Sequence, residues 1–206
     1  VPADQVAWAA SISGGHVGRA RWLAIDEETR RRRKNVLDLA LAMNSLSHSL
    51  PLISAIVRDA AEAASAQHEA ADEREAAELN QALGAGGSGK GSAAATRGSK
   101  GVLKELEAKQ KHRRQRSTHD ALDLALVDIV GLYRDAIVQT VGAQIPLLHP
   151  DVGERSARMG RQLGPAKMLR AVQAVQECRD ALRTNVKPQY ALAALAGKVQ
   201  EELRGR

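Results

Sequence analysis

The chain has 206 residues, a net charge of +6, no phenylalanine and a single cysteine, Cys178. That length allows one domain, or one and a fraction. A lone cysteine excludes an internal disulfide, which suits a reducing cytoplasm, and no window approaches the ~18 consecutive apolar residues of a membrane helix. Alanine and the aliphatics supply nearly all the apolar content, without alternating β-branched runs, so the expected fold class is all-α. The sequence opens on Val1 and enters helical sequence with no signal-peptide pattern, so a fragment of a larger protein is expected.

In chain order, residues 1–25 read as a helix end, a glycine turn and a second helix. Ser13-Gly14-Gly15-His16-Val17-Gly18 breaks the periodicity and Arg19 to Ala24 resumes it. A glycine-rich turn at a helix start can hold an anion on free N–H groups. The spacing favours a plainer use, a turn that lets two small helices approach. The cationic run Arg30 to Lys34 follows Asp26, Glu27 and Glu28, which precede Arg30, Arg31 and Arg32 at i,i+4. Acid before base at that spacing predicts an ion-paired, solvated helix face rather than a DNA contact.

Val36, Leu39, Ala40, Met43 and Leu46 mark one amphipathic helix. Ser49-Leu50-Pro51 is expected to interrupt it, with Pro51 in the first turn of the next helix, which Leu52, Ile53, Ile56, Val57 and Ala60 continue. Residues 62–83 then form an acidic arm, with Glu62, Glu69, Asp72, Glu73, Glu75 and Glu78 against Arg74. Gly84 to Gly101 is Gly/Ser/Ala/Lys-rich and reads as a flexible linker. Inside it, Gly84 to Gly91 matches the phosphate-loop pattern G-x-x-x-x-G-K, but Gly91 stands where a magnesium-binding hydroxyl is needed and no strand precedes it. No nucleotide site is expected there.

A basic arm follows, with Lys104, Lys109, Lys111, Arg113, Arg114 and Arg116 against Glu105 and Glu107. Opposite charges on the two arms predict an antiparallel helical hairpin. No aromatic residue interleaves with the cations, so no base-stacking platform is expected, while Arg113, Arg114 and Arg116 remain candidates for phosphate or partner contact. The arm runs on into the stripe Leu122, Ala125, Leu126, Ile129, Tyr133 and Ile137, at the i,i+3,i+4,i+7 spacing of one buried helical face. One helix over Leu103–Ile137 is therefore expected to leave a packed core and project from it. Gln144 to Gly164 reads as a connector. Met168, Leu169, Val172, Val175, Cys178 and Leu182 mark the next helix. Asn185 to Pro188 makes a turn, and Tyr190, Leu192, Leu195, Val199 and Leu203 mark the last helix.

No catalytic constellation is evident. The histidines His16, His48, His68, His112, His119 and His149 are scattered. His119 and Asp123 pair at i,i+4, but no third ligand converges, so no metal site is expected. Cys178 lies in an apolar stripe and reads as a small core residue. Ser13 lacks the strand-to-helix elbow of a hydrolase.

Three stretches carry a resemblance. ISGGHVGRARWLAID resembles the lid segment of clamp-loader AAA+ proteins. In ATP-hydrolysing relatives that segment reads G-S-x-R-D-A-L, and Gly18 stands where its nucleotide-sensing arginine would be, with Arg19 one position later. LEAKQKHRRQRSTHDALDLALVDIVGLYRDAI is similar to the L-E-x-R-Q-K-x-R…R-D-x-L-D-x-A-L-x-D-L…Y-R-D segment of actinobacterial delta-prime subunits of DNA polymerase III. His119 stands where that pattern has arginine. ECRDALRTNVKPQYALAAL resembles the N-x-x-P-x-L-A-L-E closing hairpin of the clamp-loader collar, through Asn185, Pro188, Ala191 and Leu192.

The resemblance implies the end of a lid domain over residues 1–28. Residues 29–206 would be an all-α collar domain carrying a charged insertion over residues 62–116. It implies a non-hydrolysing subunit packed with gamma/tau and delta subunits in a hetero-pentamer, and no cofactor is expected in this chain. That complex would act in the bacterial cytoplasm, in a nucleoid-associated replisome, and load the sliding β clamp onto primed DNA. The residues expected to carry core and assembly are Leu122, Leu126, Ile129, Tyr133, Leu182, Asn185 and Pro188. The alternative is a stand-alone basic helical protein that binds nucleic acid through Arg113, Arg114 and the Arg30 to Lys34 run.

Overall fold

The computed structural model describes residues 1–83, 92–184 and 186–204, with side chains for all of these except residues 92–99. Among them the chain forms α1 (Ala3–Ser11), α2 (Val17–Ile25), α3 (Glu27–Ala42), α4 (Leu46–Ala82), α5 (Ser92–Thr140), a 3-10 turn (Pro150–Val152), α6 (Gly153–Leu163), α7 (Pro165–Leu182) and α8 (Pro188–Arg204), and no strand. The fold is all-α. Two compact units divide the chain: Val1–Val57 with Leu122–Arg206, and Arg58–Ala121.

The core of the first unit is built on α5. Leu122, Leu126, Ile129, Leu132, Tyr133 and Ala136 are all essentially inaccessible to water, while Ile137 is half-buried. Val36, Leu37, Leu39, Ala40 and Met43 of α3, and Ile53 and Ile56 of α4, are buried as well. The Tyr133 hydroxyl, carried into this apolar interior, donates to the Ala40 carbonyl at 3.0 Å. Burial pushes its pKa well above the ordinary value. The helical pair α7–α8 closes the unit. Met168, Ala171, Ala174, Val175, Cys178 and Leu182 form the buried side of α7, and Ala191, Leu192, Leu195, Ala196 and Val199 that of α8. Lys167 caps α8 by donating to the Leu203 carbonyl at 2.8 Å.

Four expectations change. The break before α4 falls at Met43–Ser45, not at Ser49–Pro51, and Pro51 lies inside α4. The buried Ser49 hydroxyl fixes the turn by hydrogen bonding to the carbonyls of Ala42 and Ser45, both at 2.9 Å. Pro51, the sixth residue of α4, has no N–H to offer the Ser47 carbonyl, so one bond of the helical ladder is missing there. Residues 92–101, expected as linker, belong to α5, whereas residues 84–91, with the phosphate-loop near-match, lie outside the described residues. The connector of residues 144–164 contains α6. Leu169 and Tyr190 point outward, at 59% and 65% exposure.

α6 exists because a glycine lets it in. A Cβ on Gly160 would stand 2.5 Å from the Ala136 carbonyl oxygen, so only a residue without one permits this approach to α5. Gly131 plays the same part for His149, whose Nε2 would lie 2.6 Å from an added Cβ.

In the second unit, taken by itself, His68 pairs with Ser117, Asp72 with Arg113, and Glu75 with Gln110. Partners fall in number on α5 as they rise on α4, so the two arms run antiparallel. Ala64 is buried beside them, and Asp72 and Gln110 supply buried polar positions.

Candidate functional site

Two polar constellations stand out, one in each unit. In the first unit, Arg33 of α3, His149 and Asp151 of the loop before α6, and Asp128 and Asp135 of α5 converge. Arg33 is 7% exposed and donates to Asp151 at 2.6 and 2.9 Å and to Nδ1 of His149 at 2.9 Å. Because a guanidinium only donates, Nδ1 must accept, and the imidazole is neutral with its proton on Nε2. That proton faces the Asp128 carbonyl at 3.1 Å. Burial is the largest influence holding the His149 pKa below its ordinary value, and the Arg33 charge acts the same way against nearby Asp128. The carboxylate of Asp135 accepts from the backbone N–H groups of Leu148 and His149 at 3.0 and 2.7 Å, and from Arg134 at 2.8 Å. Burial works to raise Asp151, yet the Arg33 hydrogen bonds prevail and hold it below the usual carboxylate value.

Asp128 also receives Arg19 of α2, one guanidinium nitrogen lying 2.6 Å from each carboxylate oxygen. Arg33 in turn lies over the Trp8 ring of α1, 5.8 Å from its centroid. The network therefore joins α1, α2, α3, α5 and the loop ahead of α6. The stripe reading passed over it, although Asp128 and Asp135 stand beside Ile129 and Ala136, one heptad apart. An acid inside an apolar stripe was the available signal. Arg19 and Arg33, the cationic partners of Asp128 and Asp151, lie more than a hundred residues away in sequence and leave none.

The cationic run of α3 is consumed within the unit. Arg30 donates to the carbonyls of Leu23 and Ala24 at 3.0 and 3.3 Å, Arg31 and Arg32 pair with Glu28, and Lys34 pairs with Asp38 at 2.7 Å. The Glu28–Arg32 pair follows the expected i,i+4 register. Asp26 instead caps α3, accepting from the Thr29 N–H at 2.9 Å.

In the second unit, Arg113 grips Glu75 at 2.7 and 2.9 Å and also reaches Asp72, which Arg114 contacts at 2.6 Å. Gln110 donates to the Asp72 carbonyl at 2.9 Å. Hydrogen bonds from Arg113, then Gln110, pull the Glu75 carboxyl down to about 2. Two of the three arginines expected to meet phosphate or a partner thus face carboxylates of their own chain, and Arg116 alone of the three is exposed.

Gly18 is exposed in the first turn of α2. Leu122, Leu126, Ile129, Tyr133 and Leu182 are buried and hold the core, Pro188 opens α8, and Asn185 lies outside the described residues. His119 has no hold on Asp123, whose carboxylate takes two hydrogen bonds from Arg179 at 2.7 and 2.9 Å. Burial pushes the Cys178 thiol up to about 12, which keeps it protonated and unreactive. Among the described residues no three His, Cys, Asp or Glu side chains form a group that could hold a metal ion, and no helix is long and apolar enough to cross a membrane.

Two exposed apolar pairs lie on helices of the first unit. Trp22 and Ile25 share one face of α2 at i,i+3, and Leu124 and Val127 share one face of α5 in the same way, all at least 41% exposed. The constellations described here can hold charge and fix helices. No family model matches this sequence, and no curated protein or solved structure is significantly similar to it.

Proposed function

We propose that this chain is a non-hydrolysing assembly module of a clamp loader. Residues 1–28 would be the end of a lid domain and the remaining helices a collar, carrying the α4–α5 arms as a projecting helical hairpin. The collar packs beside gamma/tau and delta subunits in a cytoplasmic, replisome-associated complex that loads the sliding β clamp on primed DNA. The observation that carries this reading is the pair of exposed apolar faces, Trp22 with Ile25 and Leu124 with Val127. Exposed large side chains grouped on a helix face favour association with a partner. The position of the nucleotide-sensing arginine supports it too, since Gly18 supplies no side chain and neighbouring Arg19 is engaged by Asp128.

The test is co-elution of the purified chain with gamma/tau and delta subunits. We expect a stable complex, retained when residues 67–116 are replaced by a short linker. Loss of co-elution in that deletion variant, with helical circular dichroism preserved, would move the binding surface to the arms and overturn the assignment. The nucleic-acid reading loses Arg113 and Arg114 to Asp72 and Glu75. A steep salt dependence of duplex binding by the isolated chain would restore it.

A further inference from the structure

Helices α1 and α2 form a block with an apolar cluster of its own. Ala9 and Ile12 pack against Leu23 and Ala24, with Trp8 at the margin. Gln5 closes the block by donating to the Ala24 carbonyl at 2.5 Å. A single extended residue, Asp26, with φ −111° and ψ 115°, joins the block to α3.

Among the described residues, three polar contacts tie the block to the rest of its unit, and they differ in leverage. Arg30 holds the carbonyls of Leu23 and Ala24 beside the joint itself, so rotation there moves this contact little. Trp8 over Arg33 is a ring-face attraction, 5.8 Å to the centroid, which tolerates sliding. Arg19 lies seven residues before Asp26, about 10 Å along α2 at ~1.5 Å per residue, where a small rotation at the joint becomes a large displacement. Its bond to Asp128 has short, directional geometry, 2.6 Å to both oxygens, and the two side chains are 14% and 6% exposed. Asp128 is the fixed half, because its backbone carbonyl is also bound by His149.

We propose that the Arg19–Asp128 ion pair is a latch, and that the α1–α2 block swings about Asp26 as a rigid piece when the pair opens. A carboxylate this buried is costly to leave unpaired unless water reaches it. Partial opening is therefore disfavoured, and the block has two states, docked with the pair formed or swung away with Asp128 solvated. This device goes beyond the assembly reading and does not rest on it.

The test uses the whole chain in a Cys178→Ala background, comparing wild type, Arg19→Gln and the exchange Arg19→Asp with Asp128→Arg. Hydrogen exchange is read on α2 against α7 and α8, and a spin-label distance is read between Arg21→Cys on α2 and Arg158→Cys on α6. In Arg19→Gln we expect α2 amides to exchange about tenfold faster or more, as a sub-global opening requires, with α7 and α8 unchanged. A second, longer label distance should appear beside the first, and the exchange variant should return toward the wild-type pattern. Unchanged α2 exchange, or equal acceleration in α7 and α8, overturns the latch. Faster α2 exchange with one unaltered distance overturns it as well, because the helix would then be fraying in place. Neither readout involves the other subunits, so a failure of co-elution bears on the assembly reading alone.

Discussion

Arg33 donates to Nδ1 of His149 across 2.9 Å in a site where both side chains are almost fully withdrawn from water. The bond forbids a proton on Nδ1, and so the fold excludes imidazolium. The folded pKa of His149 lies below the ordinary 6.5, so the unfolded chain binds one more proton between those two values. Stability from this site is complete above about pH 6.5 and declines as pH falls toward the folded pKa, by at most ~1.4 kcal/mol per pH unit. Asp151, also depressed, adds its loss only below 3.8. The urea midpoint should therefore drop between pH 7.5 and pH 5.5, and the drop should shrink in His149→Gln. An equal drop in that variant would assign the pH dependence to other groups.

Gly160 and Gly197 make a paired prediction, because one helical glycine is crowded and the other is not. An added Cβ at Gly160 meets the Ala136 carbonyl, a backbone atom that can give way only if α6 moves off α5. Gly160→Ala should cost ~1–3 kcal/mol despite alanine's better helix propensity. Nothing lies within 4 Å of a Cβ at Gly197 in α8, so Gly197→Ala should stabilise, by up to ~1 kcal/mol. Chemical denaturation of both variants checks the opposite signs.

Leu126 is 1% exposed at the centre of the α5 stripe, and Leu126→Ala should cost ~2–5 kcal/mol, the usual range for a buried leucine. Leu169→Ala, at an outward position of α7, should stay within ~0.5 kcal/mol of wild type. Equal losses in the two variants would contradict the side of α7 assigned to the core.

The α4–α5 arms are held by charge more than by apolar burial. Glu75, drawn down to about 2, contributes stability that is present above 4.5 and disappears as pH falls through about 2. Asp72 is more deeply placed than Glu75 and serves two arginines. Asp72→Ala should therefore loosen residues 68–76 more than Glu75→Ala does, and raising the salt concentration should weaken the exposed pairs first. Hydrogen exchange on α4, compared between the two variants at low and high salt, measures this order.

The long helices were legible in the sequence wherever apolar residues recur at helical spacing without interruption. The α5 stripe, the inner faces of α3, α7 and α8, and the opposite charges of the arms are local properties of the chain. A period of 3.6 residues or a sign of charge carries them without reference to anything distant. The resemblance to clamp-loader subunits also rests on short stretches of sequence. Tertiary structure alone decided the rest. Gly160 and the prolines near α6 look like loop signals until α5 is placed against them, when the glycine becomes the condition for close packing. Pro51 lies inside α4, and the break falls ahead of it, where the Ser49 hydroxyl binds the carbonyls of Ala42 and Ser45. Arg33 reads as one cation in a solvated run, yet it is the buried partner of His149 and Asp151, 116 and 118 residues further along the chain. Arg19 likewise finds Asp128 across 109 residues. A buried charge is settled by whichever opposite charge or dipole the fold brings within hydrogen-bond reach, and that choice follows from packing rather than from neighbours in the chain.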